Sequence, residues 1–240
     1  KMAKSVDQVN QFLEDLIRYS RPAAEREFVE LSQFALVQFS VNDLQAWDVS
    51  YYSEKLRKRN YDLSQEELRP WFPLNKVRQG LFDIVETIYG VQVERDVSAG
   101  VWHADVEFYN IRRGGDIIAR FYFDLFTREG KRGGAWMADC RTRRRLTLHG
   151  NAVTQQIPVA YLVCNFAPPS GDTPALLTHN DVTTLFHEFG HGLHHMLTAI
   201  DVPDVSGING VAWDAVELPS QFMENWCYEP EALAFISGHY

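Results

Sequence analysis

Val6, Val9, Phe12, Leu13, Leu16 and Ile17 recur with the period of an amphipathic helix, and Ser5 with Gln8 three residues on has the form of a capping box. The spacing predicts a helix over 5–19. Pro22 fits the first turn of a second helix, whose apolar face runs through Phe28, Leu31, Phe34, Ala35 and Leu36 toward Phe39. A third helix begins at Asp48, with Tyr52 and Leu56 on one side and Glu54, Lys55, Arg57, Lys58 and Arg59 forming a solvated other side. Ser64 with Glu67 caps a short turn that Pro70 and Pro73 interrupt; Leu81, Val85 and Ile88 then mark a helix that Gly90 closes in a left-handed conformation.

From Val91 the period changes. The stretches 91–93, 101–109, 117–126, 135–140 and 157–166 are rich in β-branched and aromatic residues, Gly114, Gly115 and Asp116 supply a hairpin turn, and Pro168 and Pro169 end the last strand. Within 117–126, Ile117, Ala119, Phe121, Phe123 and Leu125 share one face, while Arg120, Tyr122 and Asp124 share the other, the pattern of a core strand. Arg141, Arg143, Arg144 and Arg145 fall in a loop between strands, read as a solvated patch; docking of an acidic partner is the sharper alternative. Helical periodicity returns at Asp181, a candidate N-cap for a helix reaching about Ala199. A loop containing Pro203, Gly207 and Gly210 leads to a helix near Asp214 and another after Pro230. The expected fold is mainly α with a small β-sheet (α+β): a helical region over 1–90, a sheet region over 91–166 and a second helical region over 167–240, together part of one domain.

Composition narrows the function classes. The 240 residues are 45% hydrophobic, enough for a real core. A net charge of -9 argues against a nucleic-acid surface. No apolar run approaches the ~18 residues a membrane span requires, and the start of the chain lacks a secretory signal's apolar segment. Cys140, Cys164 and Cys227 are an odd, widely spaced set that suits reduced thiols, so a cytoplasmic setting is expected; each reads as a small buried hydrophobe. Oligomeric state leaves no mark in the sequence.

The chemistry concentrates in Phe186-His187-Glu188-Phe189-Gly190-His191, an HExxH motif among apolar neighbours. On a helix His187 and His191 lie one turn apart on one face and can hold one Zn²⁺, while Glu188 projects about 100° round, toward a water rather than the metal. His194 and His195 read as surface histidines. A catalytic zinc needs a third protein ligand and an open position. Glu217 is the leading candidate, as an acid in an apolar helical segment, and Glu224, seven residues on, is its rival. Asp214, and Glu224 where it is not itself a ligand, are placed to orient a ligand histidine from behind. Pro219 requires the helix carrying Glu217 either to kink or to start later than Asp214.

Together, the HExxH run, Val216-Glu217-Leu218-Pro219-Ser220-Gln221 and Glu224-Asn225-Trp226 resemble the M3 family of zinc metallopeptidases, the thimet oligopeptidase group, and within it the bacterial branch. The stretches at 123–125, 128–136 and 235–240 extend the resemblance over essentially the whole chain. It implies a zincin-like HExxH helix in a helical metallopeptidase domain that cuts short peptides, with His187, His191 and Glu217 as ligands of one zinc per chain and Glu188 as general base. By weaker analogy Gly133, Gly134 and Ala135 form a strand that pairs with substrate backbone. Family members are longer on both sides, and the tyrosine and histidine that stabilise their oxyanion lie in a C-terminal segment beyond these residues, so weak activity is expected of this stretch alone. The competing reading is a helical peptide-binding module with a structural zinc, closed by Glu224 or His195 as fourth ligand.

Overall fold

The computed structural model describes residues 2–61, 64–148 and 152–240. The chain forms two compact units, Lys1–Glu67 and Leu68–Tyr240.

In the first unit, α1 (Val6–Phe39) is a single helix, where a break before Pro22 was expected. Ser5 caps it by accepting from the Gln8 amide, and Ser40 ends it at φ 58°. Pro22 removes one backbone bond, yet Ala23, Ala24, Glu25 and Arg26 are strong helix formers and carry the helix through. Helix α2 (Val49–Tyr61) follows, with its charges outward as expected. The contact between the two helices is aromatic: Phe39 lies 5.3 Å from Tyr52, and Arg59 sits over the Phe34 ring. Ser64 and Glu67 make the predicted reciprocal cap at the start of α3 (Gln65–Leu68).

The second unit opens with α4 (Leu74–Tyr89), which buries Val77, Leu81 and Val85 along one face and ends at Gly90 with φ +62°, as the sequence indicated. Then come β1 (Gln92–Arg95), β2 (Glu107–Arg113), β3 (Asp116–Phe126), β4 (Trp136–Arg141), β5 (Arg144–Leu148), β6 (Ala152–Gln156) and β7 (Val159–Phe166). One mixed sheet has the order β1-β2-β3-β7-β4, with β3 and β7 parallel, and β5–β6 form a separate hairpin. Two expectations change here. Residues 101–106 are turns, because Trp102 folds over the sheet and donates to Asp124 (3.1 Å). The arginine-rich stretch is not a loop: Arg141 ends β4, Arg144 and Arg145 open β5, and Arg143 and Arg145 pair with Asp201 at 2.7 and 3.1 Å.

Alternation along β3 puts Ala119, Phe121, Phe123 and Leu125 into the core as expected. On that face lies α5 (His179–Met196), whose Phe189 packs 5.4 Å from Phe121 and 5.8 Å from Phe123. The helix begins two residues earlier than Asp181 because Thr178 is the cap; Asp181 supplies the reciprocal bond of its capping box. Helices α6 (Leu218–Glu224) and α7 (Pro230–Ile236) follow, and α6 starts later than Asp214 so that Pro219 falls in the first turn, where its missing N–H costs nothing. No described helix is long and apolar enough to cross a membrane.

Candidate metal centre

The HExxH residues occupy the middle of α5, and α6 crosses against them at unusually short range. A Cβ on Gly190 would lie 2.6 Å from both the Pro219 carbonyl oxygen and the Ser220 Cα, so the two backbones touch and only glycine fits. That approach brings Glu217, the residue preceding α6, onto the histidine stripe: its Oε2 is 3.3 Å from His187 Nε2 and 3.1 Å from His191 Nε2. One donor atom from each of His187, His191 and Glu217 lies within 4.8 Å of the others. Ser220 donates to Glu217 Oε2 at 2.9 Å and so steers the carboxylate, a contact that sequence reasoning missed although the Glu-x-x-Ser spacing across the start of a helix permits it.

Glu224 sits behind the pair. Its Oε1 is 2.6 Å from His187 Nδ1, and since an ionised carboxylate only accepts, Nδ1 carries a proton; in the neutral ring Nε2 then presents a lone pair. In that form the lone pair faces the Glu217 carboxylate, another acceptor, at 3.3 Å. Two acceptors at that distance repel unless a proton or a metal ion lies between them, and the donor set fits a divalent metal with N and O preference. Burial lowers the pKa of His191, favouring the neutral imidazole that a metal requires. Asp214, expected behind a histidine, lies exposed in the turns before α6; the carboxylate at His187 Nδ1 is that of Glu224.

Glu188 is buried (7% exposed) on the side of α5 that meets β4. Burial raises its pKa, against the opposing pull of His187, with the Glu217 charge adding to the rise; the nearby Met137 amide favours the charged form. Met137 was absent from the sequence reading, which had no means of bringing a strand backbone to this acid. Gly133, Gly134 and Ala135, expected as a strand, instead form the bend before β4, with Asn165 donating to the Gly134 carbonyl at 2.6 Å. Among the described residues β4 pairs only with β7, so its other edge is free beside the metal centre. His195 is not a surface histidine: it is wholly buried, and His194 is half-buried.

A model of peptidase family M3 matches residues 1–240. The chain is 55% identical to oligopeptidase A of Escherichia coli K12, 46% identical to an Arabidopsis thaliana protein named organellar oligopeptidase A, and 34% identical to the dipeptidyl carboxypeptidase of E. coli K12. Each match covers the whole of this chain and 35%, 31% and 34% of the relative, respectively, so the chain spans about a third of the length of these proteins. The chain belongs to peptidase family M3.

Proposed function

We propose that these residues form the metal-binding and proton-transferring part of a zinc-dependent endopeptidase for short oligopeptides. The observation that carries the reading is the convergence of His187 Nε2, His191 Nε2 and the Glu217 carboxylate on one point, within 4.8 Å of one another. His187, His191 and Glu217 would hold one Zn²⁺ per chain, and Glu224 fixes the tautomer of His187 from behind. The ion, when bound, supplies a Lewis acid that lowers the pKa of a water toward about 7 and polarises an amide carbonyl.

The protein's own residues do the rest. Glu188 accepts the proton of the attacking water and returns it to the leaving amine; burial raises its pKa above the ordinary carboxylate value, which makes it a stronger base. The free edge of β4 offers backbone groups to an extended peptide, which β-strand addition would hold beside Glu188. A closed structural zinc site is disfavoured because both candidate fourth ligands are committed elsewhere: Glu224 to His187 Nδ1, and His195 to the Arg141 carbonyl. The relatives named oligopeptidase support short peptides as substrates.

Metal analysis after zinc-replete preparation should give about one zinc per folded chain, a ratio set by the one three-donor cluster among the described residues, and His191→Ala should remove it. Near-zero zinc in the folded parent chain sinks the proposal.

A further inference from the structure

His187, His191 and His195 recur every fourth residue along α5 and so share one stripe of the helix. The first two end at Glu217; the third points elsewhere. His195 is 0% exposed, and its Nε2 lies 2.9 Å from the carbonyl oxygen of Arg141, the last residue of β4. A carbonyl only accepts, so Nε2 donates. The other ring nitrogen, Nδ1, has no hydrogen-bond partner among the described residues and is pressed against Gly207, where a Cβ would lie 2.6 Å from it. The ring is thus confined on one side by a glycine and bonded on the other to the strand.

At its near end β4 lies against the same helix, with the Met137 amide beside the Glu188 carboxylate. Further along, the strand is irregular: its register with β7 shifts between Asp139 and Arg141. A bulge leaves Cys140 unpaired and bends the strand, and pairing resumes at Arg141, opposite Val159. The bond from His195 holds that same residue from the helix side, immediately past the bulge, so Arg141 is clamped between β7 and α5.

We propose that His195 is a positioning residue that sets the register of the free edge of β4 against the metal-binding stripe, and thereby which peptide bond of a strand-paired substrate reaches Glu188. The inference rests on the reading of the site as hydrolytic, with β4 as the strand that pairs with substrate. His195 touches neither the reacting atoms nor the ligand cluster; it acts through the backbone of Arg141.

The test compares His195→Leu, which removes the donor while filling space, and His195→Gln, whose longer amide reaches the position of the imidazole Nε2 and can still donate to the Arg141 carbonyl, with the parent zinc-loaded protein. Substrates are peptides that the parent cuts at a single bond. In His195→Leu, cleavage should spread to neighbouring bonds, with kcat falling by about 10² and KM little changed, the cost of roughly 1 Å of misplacement. Zinc affinity should stay within about twofold, because the ligand set is intact. His195→Gln should restore the single cut. Amide exchange at 137–141, read without metal or substrate, should accelerate in His195→Leu and recover in His195→Gln. An unchanged cut and unchanged kcat in His195→Leu overturns the proposal, as does zinc loss in step with activity. A parent protein that binds zinc but cuts no peptide defeats the hydrolytic reading instead; exchange at 137–141 that is the same in all three proteins then defeats the strand tie separately. Where His195→Leu does not fold, His195→Gln against His195→Ala carries the same comparison.

Discussion

On one face of the five-stranded sheet Asp124 meets Arg128, Lys131 and Trp102; on the α5 side Glu217 meets His187 and His191. Both clusters gather a carboxylate and nitrogen-bearing side chains at close range, and they differ in who supplies the positive charge. Asp124 is 4% exposed and accepts from Arg128 at 2.6 and 2.8 Å, from Lys131 at 2.8 Å and from Trp102 at 3.1 Å. Lys131 is equally buried, and its ammonium also reaches the carbonyls of Asp124, Phe126 and Cys164, which fastens the segment between β3 and β4 to the sheet. Every charge there is met from within the chain, as a structural cluster requires. At Glu217 the neutral His187 ring turns an acceptor toward an acceptor at 3.3 Å, because Glu224 takes its proton on the far side. A buried polar cluster that satisfies itself stabilises the fold; the half-exposed Glu217 and its two imidazoles have instead the arrangement of a candidate cation site.

The largest expected effect tests the binding-site half of that contrast. Glu188→Gln should keep the zinc and lower kcat by about 10²–10⁴, the usual worth of a general base; peptide turnover and metal content measured together would show whether the acid does more than pack against β4. Next comes Asp124→Asn, which leaves the buried Lys131 charge uncompensated and should cost about 3 kcal/mol in denaturant unfolding. Zinc affinity in that variant should remain as in the parent, and a joint loss would erase the distinction between the two clusters. Smaller still, Glu224→Gln should weaken zinc about 10–100-fold by titration, since it orients a ligand without being one.

The smallest effect is the pH dependence of the self-satisfied cluster. Burial pushes the Asp124 carboxyl up, but the hydrogen bonds from Arg128 and Lys131 and the Lys131 charge outweigh it and hold the pKa at about 2. An unfolded aspartate titrates near about 3.9. The cluster therefore contributes its full stability above about pH 4, and that contribution drains away as pH falls toward 2. Thermal midpoints between these limits should fall more steeply in the parent than in Asp124→Asn; parallel slopes would place the acid sensitivity elsewhere.

What could be read in advance divides by the range of the interaction. Local signals worked: the Ser5 and Ser64 caps, the Gly90 stop, the alternation of β3 and the spacing of His187 and His191 all depend on residues within a few positions of one another. Proline's missing donor left two outcomes open at Pro219, a kink or a later start, and the helix takes the later start. The errors lay where a distant partner decided. The arginine stretch became a hairpin arm tied to Asp201, more than fifty residues on. Residues 101–106 turned over the sheet because Asp124 waits for the Trp102 indole. His195 looked like a surface histidine until the Arg141 carbonyl met it across 54 residues. Pro22 was a different kind of error: a local rule applied correctly and overruled by good helix formers after it.

Gly190 bears on how this metal centre can vary. Because α5 and α6 meet there with backbone against backbone, the distance from the histidine pair to Glu217 already stands at its minimum, and any side chain at 190 can only increase it. Drift at that position runs one way, toward donors too far apart for the bonds of about 2.0–2.2 Å that imidazole and carboxylate make to zinc. A residue with no side chain thus acts as the spacer between the two helices that carry the donors.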